Sequence, residues 1–283
     1  MKTSAFLASY ISLYEKGAST LDLVDLAKRQ GFDSVEPFPV KDLATIEDAQ
    51  KFAEYAAKKD LAVSCFSAAI NLAVPDKRDA VATLKHYINM ARAMGAPYFH
   101  HTIALKLETL RTGEDSFETL LPAIVSVIRE LCDYASERGV TCVYEDQGMC
   151  FNGAERFARF LEAVDRKNIG VVADLGNIMF VDEKPEQFVG RFTSRIVHVH
   201  LKDYLWKSGR ESHPGPGWYM TQQGNFLRDT VFGHGSVPFT TIFRLLKAAG
   251  YEGYYSCEYA APEPPEKWIP VSMENVKRFY QEA

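Results

Sequence analysis

Residues 196–204 read IVHVHLKDY. Ile196, Val197, Val199 and Leu201 form a short apolar run of the kind that makes a fully buried strand. His198 and His200 interrupt it, and Lys202 and Asp203 follow at once. Such a strand belongs in a parallel sheet covered by helices, and its two imidazoles need a chemical reason to be there.

The same unit repeats outward in both directions. Upstream lie PEQFVGRF (185–192) at helical spacing and the run IGVVADLG (169–176). Before those come VTCVYED (140–146) with GAERFARFLEAVD (153–165), and PYFHHTI (97–103) with SFETLLPAIVSVIRELCDYASER (116–138). Earlier still are LAVSCFS (61–67) with DKRDAVATLKHYINMARAM (76–94), SVEPF (34–38) with IEDAQKFAEYAAKKD (46–60), and AFLASYI (5–11) with LDLVDLAKRQ (21–30). Downstream, TTIFRLLKAA (240–249) precedes GYYSCEY (253–259) and a last helix over 265–283. Gly31, Gly95, Gly139 and Gly250 stand where a helix-ending glycine belongs. Eight strand–helix units predict an α/β fold, a single-domain (β/α)8 TIM barrel over residues 1–283. A doubly wound open sheet is the competing architecture. It usually carries a phosphate-binding glycine-rich first turn, and here neither G-x-G-x-x-G nor a Walker A sequence occurs. The longest irregular stretch, 205–237, follows the seventh strand on the side where barrel active sites form, and its length marks it as functional.

Composition narrows the class. The 283 residues are 47% hydrophobic and 24% charged, with a net charge of −5, an ordinary globular make-up that argues against a nucleic-acid partner. Five scattered cysteines (65, 132, 142, 150 and 257) without C-x-x-C spacing fit a reducing cytoplasm. No apolar run approaches the roughly 18 residues of a membrane span. The N-terminal MKTSAFLASYISLY has one lysine and an apolar run broken by Ser and Tyr, so it reads as the first strand in preference to a signal peptide.

In a barrel the chemistry gathers at the C-terminal ends of the strands. The fifth strand ends in Glu145, the sixth in Asp174 and the eighth in Glu258, and the seventh carries His198 and His200. The two-residue strand period puts both histidines on one face, His200 nearer the rim and His198 a layer deeper. Three carboxylates and one imidazole at one mouth repel as bare acids and suit one divalent cation: Mn²⁺, Mg²⁺, Co²⁺ or Fe²⁺, with Zn²⁺ compatible. The bland reading of each residue is a rim charge paired with Lys or Arg; four in register favour the metal. His198 reads as a group that supports the site from below.

These residues resemble a known family. VYED around Glu145, VVADLGN around Asp174, HVHLKD around His200 and GYYSCE around Glu258 are similar to the xylose isomerase-like barrels. That superfamily includes tagatose 3-epimerase-like enzymes, hydroxypyruvate isomerase, inosose dehydratase and inosose isomerase and, more distantly, endonuclease IV. FGHGSVPFTTIFRLLKAAGYEG resembles the family's approach to the last strand. The resemblance implies that Glu145, Asp174, His200 and Glu258 hold one metal, most often Mn²⁺, with Glu145 and Glu258 also acting as acid and base. It implies isomerisation or epimerisation of a sugar, inositol or small hydroxy-ketone through a metal-stabilised enediolate. A lyase or dehydratase with the same site, keto-glycoside cleavage included, is the alternative; a sugar-binding barrel without catalysis is another. The chain departs from many epimerases in carrying Asn177 where they have His, and Lys202 and Lys207 where they place Arg.

Substrate-binding candidates complete the list: Lys202, Asn177, Glu36 at the end of the second strand, His100 and His101 at the end of the fourth, and Arg210 on the long loop. Parity does not decide which of the two adjacent histidines faces the mouth. His213 and His234 lie on or near the loop, and Trp206, Trp218 and Tyr219 could wall a pocket or a subunit contact. The expected partner is a small-molecule substrate, not nucleic acid or membrane, and the sequence leaves a homo-oligomer open.

Overall fold

The computed structural model describes residues 1–104 and 116–283. The chain runs through β1 (Lys2–Phe6), a 3-10 turn at Leu7–Tyr10, α1 (Ile11–Tyr14), α2 (Thr20–Arg29), β2 (Ser34–Glu36) and α3 (Ile46–Lys58). Next come β3 (Ala62–Val63), β4 (Phe66–Ala68), α4 (Arg78–Ala93), β5 (Tyr98–His101), α5 (Phe117–Ser136), β6 (Thr141–Glu145) and α6 (Ala154–Val164). Then follow β7 (Ile169–Asp174), a 3-10 turn at Asn177–Val181, α7 (Pro185–Phe192), β8 (Ile196–Leu201), β9 (Tyr204–Lys207), β10 (Tyr219–Met220) and β11 (Phe226–Asp229). α8 (Phe239–Ala248), β12 (Tyr254–Cys257) and α9 (Pro265–Glu282) finish it.

Local signals set these boundaries. Helices α2 and α3 begin on capping boxes, Ser19 with Asp22 and Thr45 with Asp48, which satisfy amides the first turn leaves open. Gly31, Gly95, Gly139 and Gly250 all adopt positive φ, 78°, 71°, 69° and 72°, just past the helices they end. Helices α2 to α9 each bury an apolar stripe, while the one-turn α1 buries none. In α6 that stripe is Phe157, Phe160, Leu161 and Val164, all buried.

The nine parallel strand segments order as β3-β2-β1-β12-β8-β7-β6-β5-β4. β3 and β4 are two pieces of the expected third strand. The interruption at Ser64–Cys65 is bridged: the Ser64 amide donates to the Val35 carbonyl at 3.0 Å and the Ser67 amide to that of Pro37 at 3.1 Å. Eight staves therefore surround one barrel, a single-domain α/β TIM barrel. β1 pairs with both β2 and β12, so the N-terminal residues are barrel wall.

Two details depart from the sequence reading. The run AFLASYI divides, because Leu7–Tyr10 leave β1 as a 3-10 turn. The stretch 205–237 is not wholly irregular. β9, β10 and β11 form an antiparallel three-stranded sheet in the order β10-β11-β9. Asp182, at the end of the second 3-10 turn, fastens it by accepting from Thr221 Oγ1 at 2.8 Å, the Gln223 amide at 2.7 Å and Asn225 Nδ2 at 2.8 Å.

The main core lies between sheet and helices. A second cluster, Cys65, Val143 and Val172 with Tyr98 and Val197 against it, is separate from it. By strand parity it forms the barrel floor. The β7–β8 register shifts between Val171 and Val172, a bulge that gives β8 one extra residue. Val197 packs in that floor cluster and His198 still reaches Glu36 inside the barrel, which a regular pleat forbids for adjacent residues. No helix among the described residues is long and apolar enough to cross a membrane.

Candidate functional site

β6, β7, β8 and the residue after β12 bring Glu145, Asp174, His200 and Glu258 together, with one ligand atom of each within 4.8 Å of the others. That is close to the span of one divalent ion with bonds of about 2.0–2.2 Å. Nδ1 of His200 lies 2.9 Å from Glu258 Oε2 and 3.3 Å from Glu145 Oε2. The Lys202 ammonium sits 2.6 Å from Glu258 Oε1 and 3.1 Å from Asp174 Oδ2. Two cationic side chains thus meet three buried acids. Asp174 Oδ2 and Glu258 Oε2 have ion pairs but no hydrogen-bond donor among the described residues. The other Asp174 oxygen is held by the amides of Gly176 and Asn177, both at 2.8 Å. An oxygen-rich set with one imidazole, fixed from behind and with lone pairs left over, fits a divalent cation.

The electrostatics follow from burial set against neighbours. Burial works against the charge of His200, but the Glu36 carboxylate, hydrogen bonds to Glu145 and Glu36 and the nearby Glu258 carboxylate hold its imidazolium well above the usual range. Burial likewise opposes the charge on Lys202, and Asp174 and Glu258 outweigh it. Burial would raise Glu258, and Lys202 and His200 pull it below its ordinary value. Asp174 is shifted up by burial, against the pull of Lys202. Asp146, beside Glu145, is pushed far up by burial and by the Asp174 and Glu145 charges.

Glu36 corrects the sequence reading. It does not face a substrate: it is fully buried, with Oε2 2.7 Å from His198 Nε2 and Oε1 3.0 Å from His200 Nε2 and in contact with the Ser67 hydroxyl. It ends the three-residue β2, paired in register with Phe6. His198, read from the sequence as a group supporting the site, bonds Glu36. The histidine pair also resolves. His100 lines the mouth cavity of about 160 Å³ with Phe6, Phe38, Ser67, Gln147, Glu145, His200 and Glu258. His101 turns the other way and is no substrate contact. Its Nε2 bonds the Tyr144 hydroxyl at 3.0 Å and its Nδ1 the Thr102 carbonyl at 2.9 Å, and burial pushes its pKa down to about 3.

Asn177 is buried, its Oδ1 3.3 Å from Lys202 Nζ and its Nδ2 without a partner among the described residues. Arg210 lies exposed on the loop before β10, as do His213 and, nearer α8, His234. The geometry places no side-chain contact between Arg210 and the site. Trp206 and Tyr219 are exposed on the small sheet. Sequence reasoning missed Phe6, whose ring stacks on His200 at 5.4 Å, and Ser67. Phe6 ends β1 and Ser67 lies one residue before the end of β4, both lining the cavity, and that position is the signal that could have found them. It also missed Asp203. That carboxylate accepts from the amides of Tyr204, Gly233, Gly235 and Val237 at 2.8–3.1 Å. The second glycine of FGHGSV is explained by it: a Cβ on Gly235 would lie 2.2 Å from Asp203 Oδ1, whereas Gly233 has φ +86° and packs against Phe279.

Known proteins agree with this architecture. The inosose dehydratase of Geobacillus thermodenitrificans is 30% identical over 138 residues, 48% of this chain and 45% of that one. The chain spans about half the length of the curated relatives it matches. Among solved structures, a D-psicose 3-epimerase with D-tagatose from Clostridium cellulolyticum H10 superposes with a TM-score of 0.75 at 14% identity, covering 99% of both chains. A xylose isomerase-like TIM barrel protein from Mycobacterium smegmatis in complex with magnesium gives 0.70 at 20% identity, covering 94% of this chain and 89% of that one. The model of the xylose isomerase-like TIM barrel matches residues 24–279. The chain belongs to the xylose isomerase-like TIM barrel family.

Proposed function

We propose that the chain is a metal-dependent enzyme that removes the proton beside a carbonyl group of a small polyhydroxylated substrate: a sugar, an inositol derivative or a hydroxy-ketone. One observation carries this reading. Glu145 and Glu258, the two acids fit to exchange that proton, converge on the same imidazole nitrogen, with Asp174 beside them. Glu145, Asp174, His200 and Glu258 would hold one divalent ion, Mn²⁺ first among those that suit the donor set. When bound, the ion withdraws charge from the substrate carbonyl and acidifies the neighbouring C–H. Glu145 and Glu258 then take the proton and return it, on one face or across the two. Lys202, relieved of part of its pairing with Asp174 and Glu258, donates to a substrate oxygen, and Asn177 Nδ2 offers a second donor. His100 and Phe6 line the cavity beside them.

Return of the proton gives an isomerase or epimerase. A second reading keeps the abstraction and expels a β-hydroxyl, as a lyase does. It is supported by the inosose dehydratase relatives, and Lys202 stands where a leaving oxygen needs a cation.

The experiment is proton exchange. Mn²⁺-loaded protein in D₂O is given ketoses, hydroxypyruvate and inososes, and NMR follows deuterium at the carbon beside the carbonyl. Incorporation that disappears in Glu145→Gln or Glu258→Gln supports abstraction, and the products separate epimer from dehydrated compound. Tight binding without exchange would turn the reading into a sugar-binding barrel.

A further inference from the structure

Below the mouth, one carboxylate collects three donors. Glu36 Oε1 receives Ser67 Oγ and His200 Nε2, and Oε2 receives His198 Nε2. The Ser67 hydroxyl has a single proton and three polar neighbours: Glu36, in close contact, His100 Nδ1 at 3.3 Å and the weakly accepting Cys65 thiol at 3.7 Å. A carboxylate only accepts, and a charged acceptor wins the proton. Ser67 Oγ can then serve His100 only as an acceptor, so the proton of the neutral imidazole must sit on Nδ1. Nε2 is left with a lone pair. It is buried, lies 3.6 Å from Glu145 Oε1 and has no hydrogen-bond partner among the described residues. Two acceptors facing each other at the wall of a cavity call for a donor between them.

We propose that Glu36 sets the proton positions of both histidines at the mouth, His200 directly and His100 through Ser67, so that His200 turns a bare Nδ1 to the ion and His100 a bare Nε2 to an O–H donor of the ligand. This rests on the metal-enzyme reading for His200. For His100 it adds a specificity element: a hydroxyl acceptor beside the acid Glu145, whose form is fixed before any ligand arrives. Glu36 and Ser67 act here as positioning residues, through the two histidines.

The test uses the full chain with ¹⁵N-labelled histidine, loaded with diamagnetic Mg²⁺. Long-range ¹H–¹⁵N spectra separate protonated from bare ring nitrogens. His100 is expected with its proton on Nδ1 in the wild type and with a substantial Nε2–H population in Ser67→Ala. Mg²⁺ affinity by calorimetry should stay within about threefold in Ser67→Ala and fall about 10–100-fold in Glu36→Gln, the usual cost of losing the carboxylate behind a metal-bound histidine. A wild-type His100 protonated on Nε2 overturns the proposal, and so does an unchanged His100 in Ser67→Ala. Unchanged affinity in Glu36→Gln overturns the arm through His200. The wild-type spectrum decides the His100 arm even if Glu36→Gln does not fold. Failure of the metal reading shows separately, as no Mg²⁺ or Mn²⁺ binding by wild type.

Discussion

Glu36 and Asp203 are both buried carboxylates at strand ends, and they gather different donors. Glu36 takes a hydroxyl and two imidazoles. Asp203 takes four backbone amides. A side-chain donor can exchange its proton, rotate or pass charge on, so the region around Glu36 can take part in chemistry. An amide keeps its proton, so the region around Asp203 can only hold shape. There the carboxylate ties the turn at 233–237 to the end of β8, against burial that pushes its pKa up to about 6. One barrel face thus carries a reactive half and a clamped half, and the donor type tells them apart.

The contrast can be broken most directly at the mouth. Glu145→Gln and Glu258→Gln should each lower solvent exchange about 10²–10⁴-fold, the range for removing one acid–base group, and His200→Ala should abolish tight metal binding. Variants that hold metal and exchange like wild type would move the site elsewhere.

Asp203→Ala should act on stability. It strands four amides, each costing about 1–3 kcal/mol when left buried and unpaired, offset where water enters. A loss of several kcal/mol of unfolding free energy, read from a lower denaturant midpoint, is expected, with metal affinity of the folded fraction unchanged. A stable variant with weakened metal binding would erase the distinction between the two regions.

Acidity sharpens it next. In the metal-free protein Glu36, Glu145 and Glu258 hold His200 protonated above its ordinary value of 6.5. This charge stabilises the fold fully below that ordinary value, and the contribution fades as pH rises through the raised one. A metal must displace the proton. Affinity should therefore climb about tenfold per unit while the pH stays below the raised value, with about one proton released per ion. Calorimetry in buffers of different ionisation enthalpy measures that release; a flat profile would mean the ion leaves His200 unengaged.

The smallest effect belongs to His101. His101→Gln loses the bond to Tyr144, worth about 1 kcal/mol, and should leave exchange and metal affinity unaltered. A large drop in exchange would mean that the outer face of β5 reaches the mouth after all.

Much of this was legible locally. Helix stripes, glycine stops and apolar runs depend on neighbours a few residues apart, so the barrel and its boundaries could be read from the order of residues. So could the four polar residues after or within the last four barrel strands, because strand ends map to one face of the barrel. The small sheet over 204–229 was not, since β10 has two residues and β9 and β11 four each. Segments that short carry too little periodicity to stand out from a loop.

What the sequence determined by itself is therefore the alternation of strands and helices, the face on which chemistry collects, and the kinds of group gathered there. The tertiary structure alone decided which way each group points. His100 and His101 are consecutive and chemically identical, and only the pairing of β5 with β4 and β6 sends one to the cavity and one to Tyr144. Glu36 and His198 stand 162 residues apart in the chain and 2.7 Å apart in space. Roles of that kind arise from closure of the barrel, which no local pattern encodes.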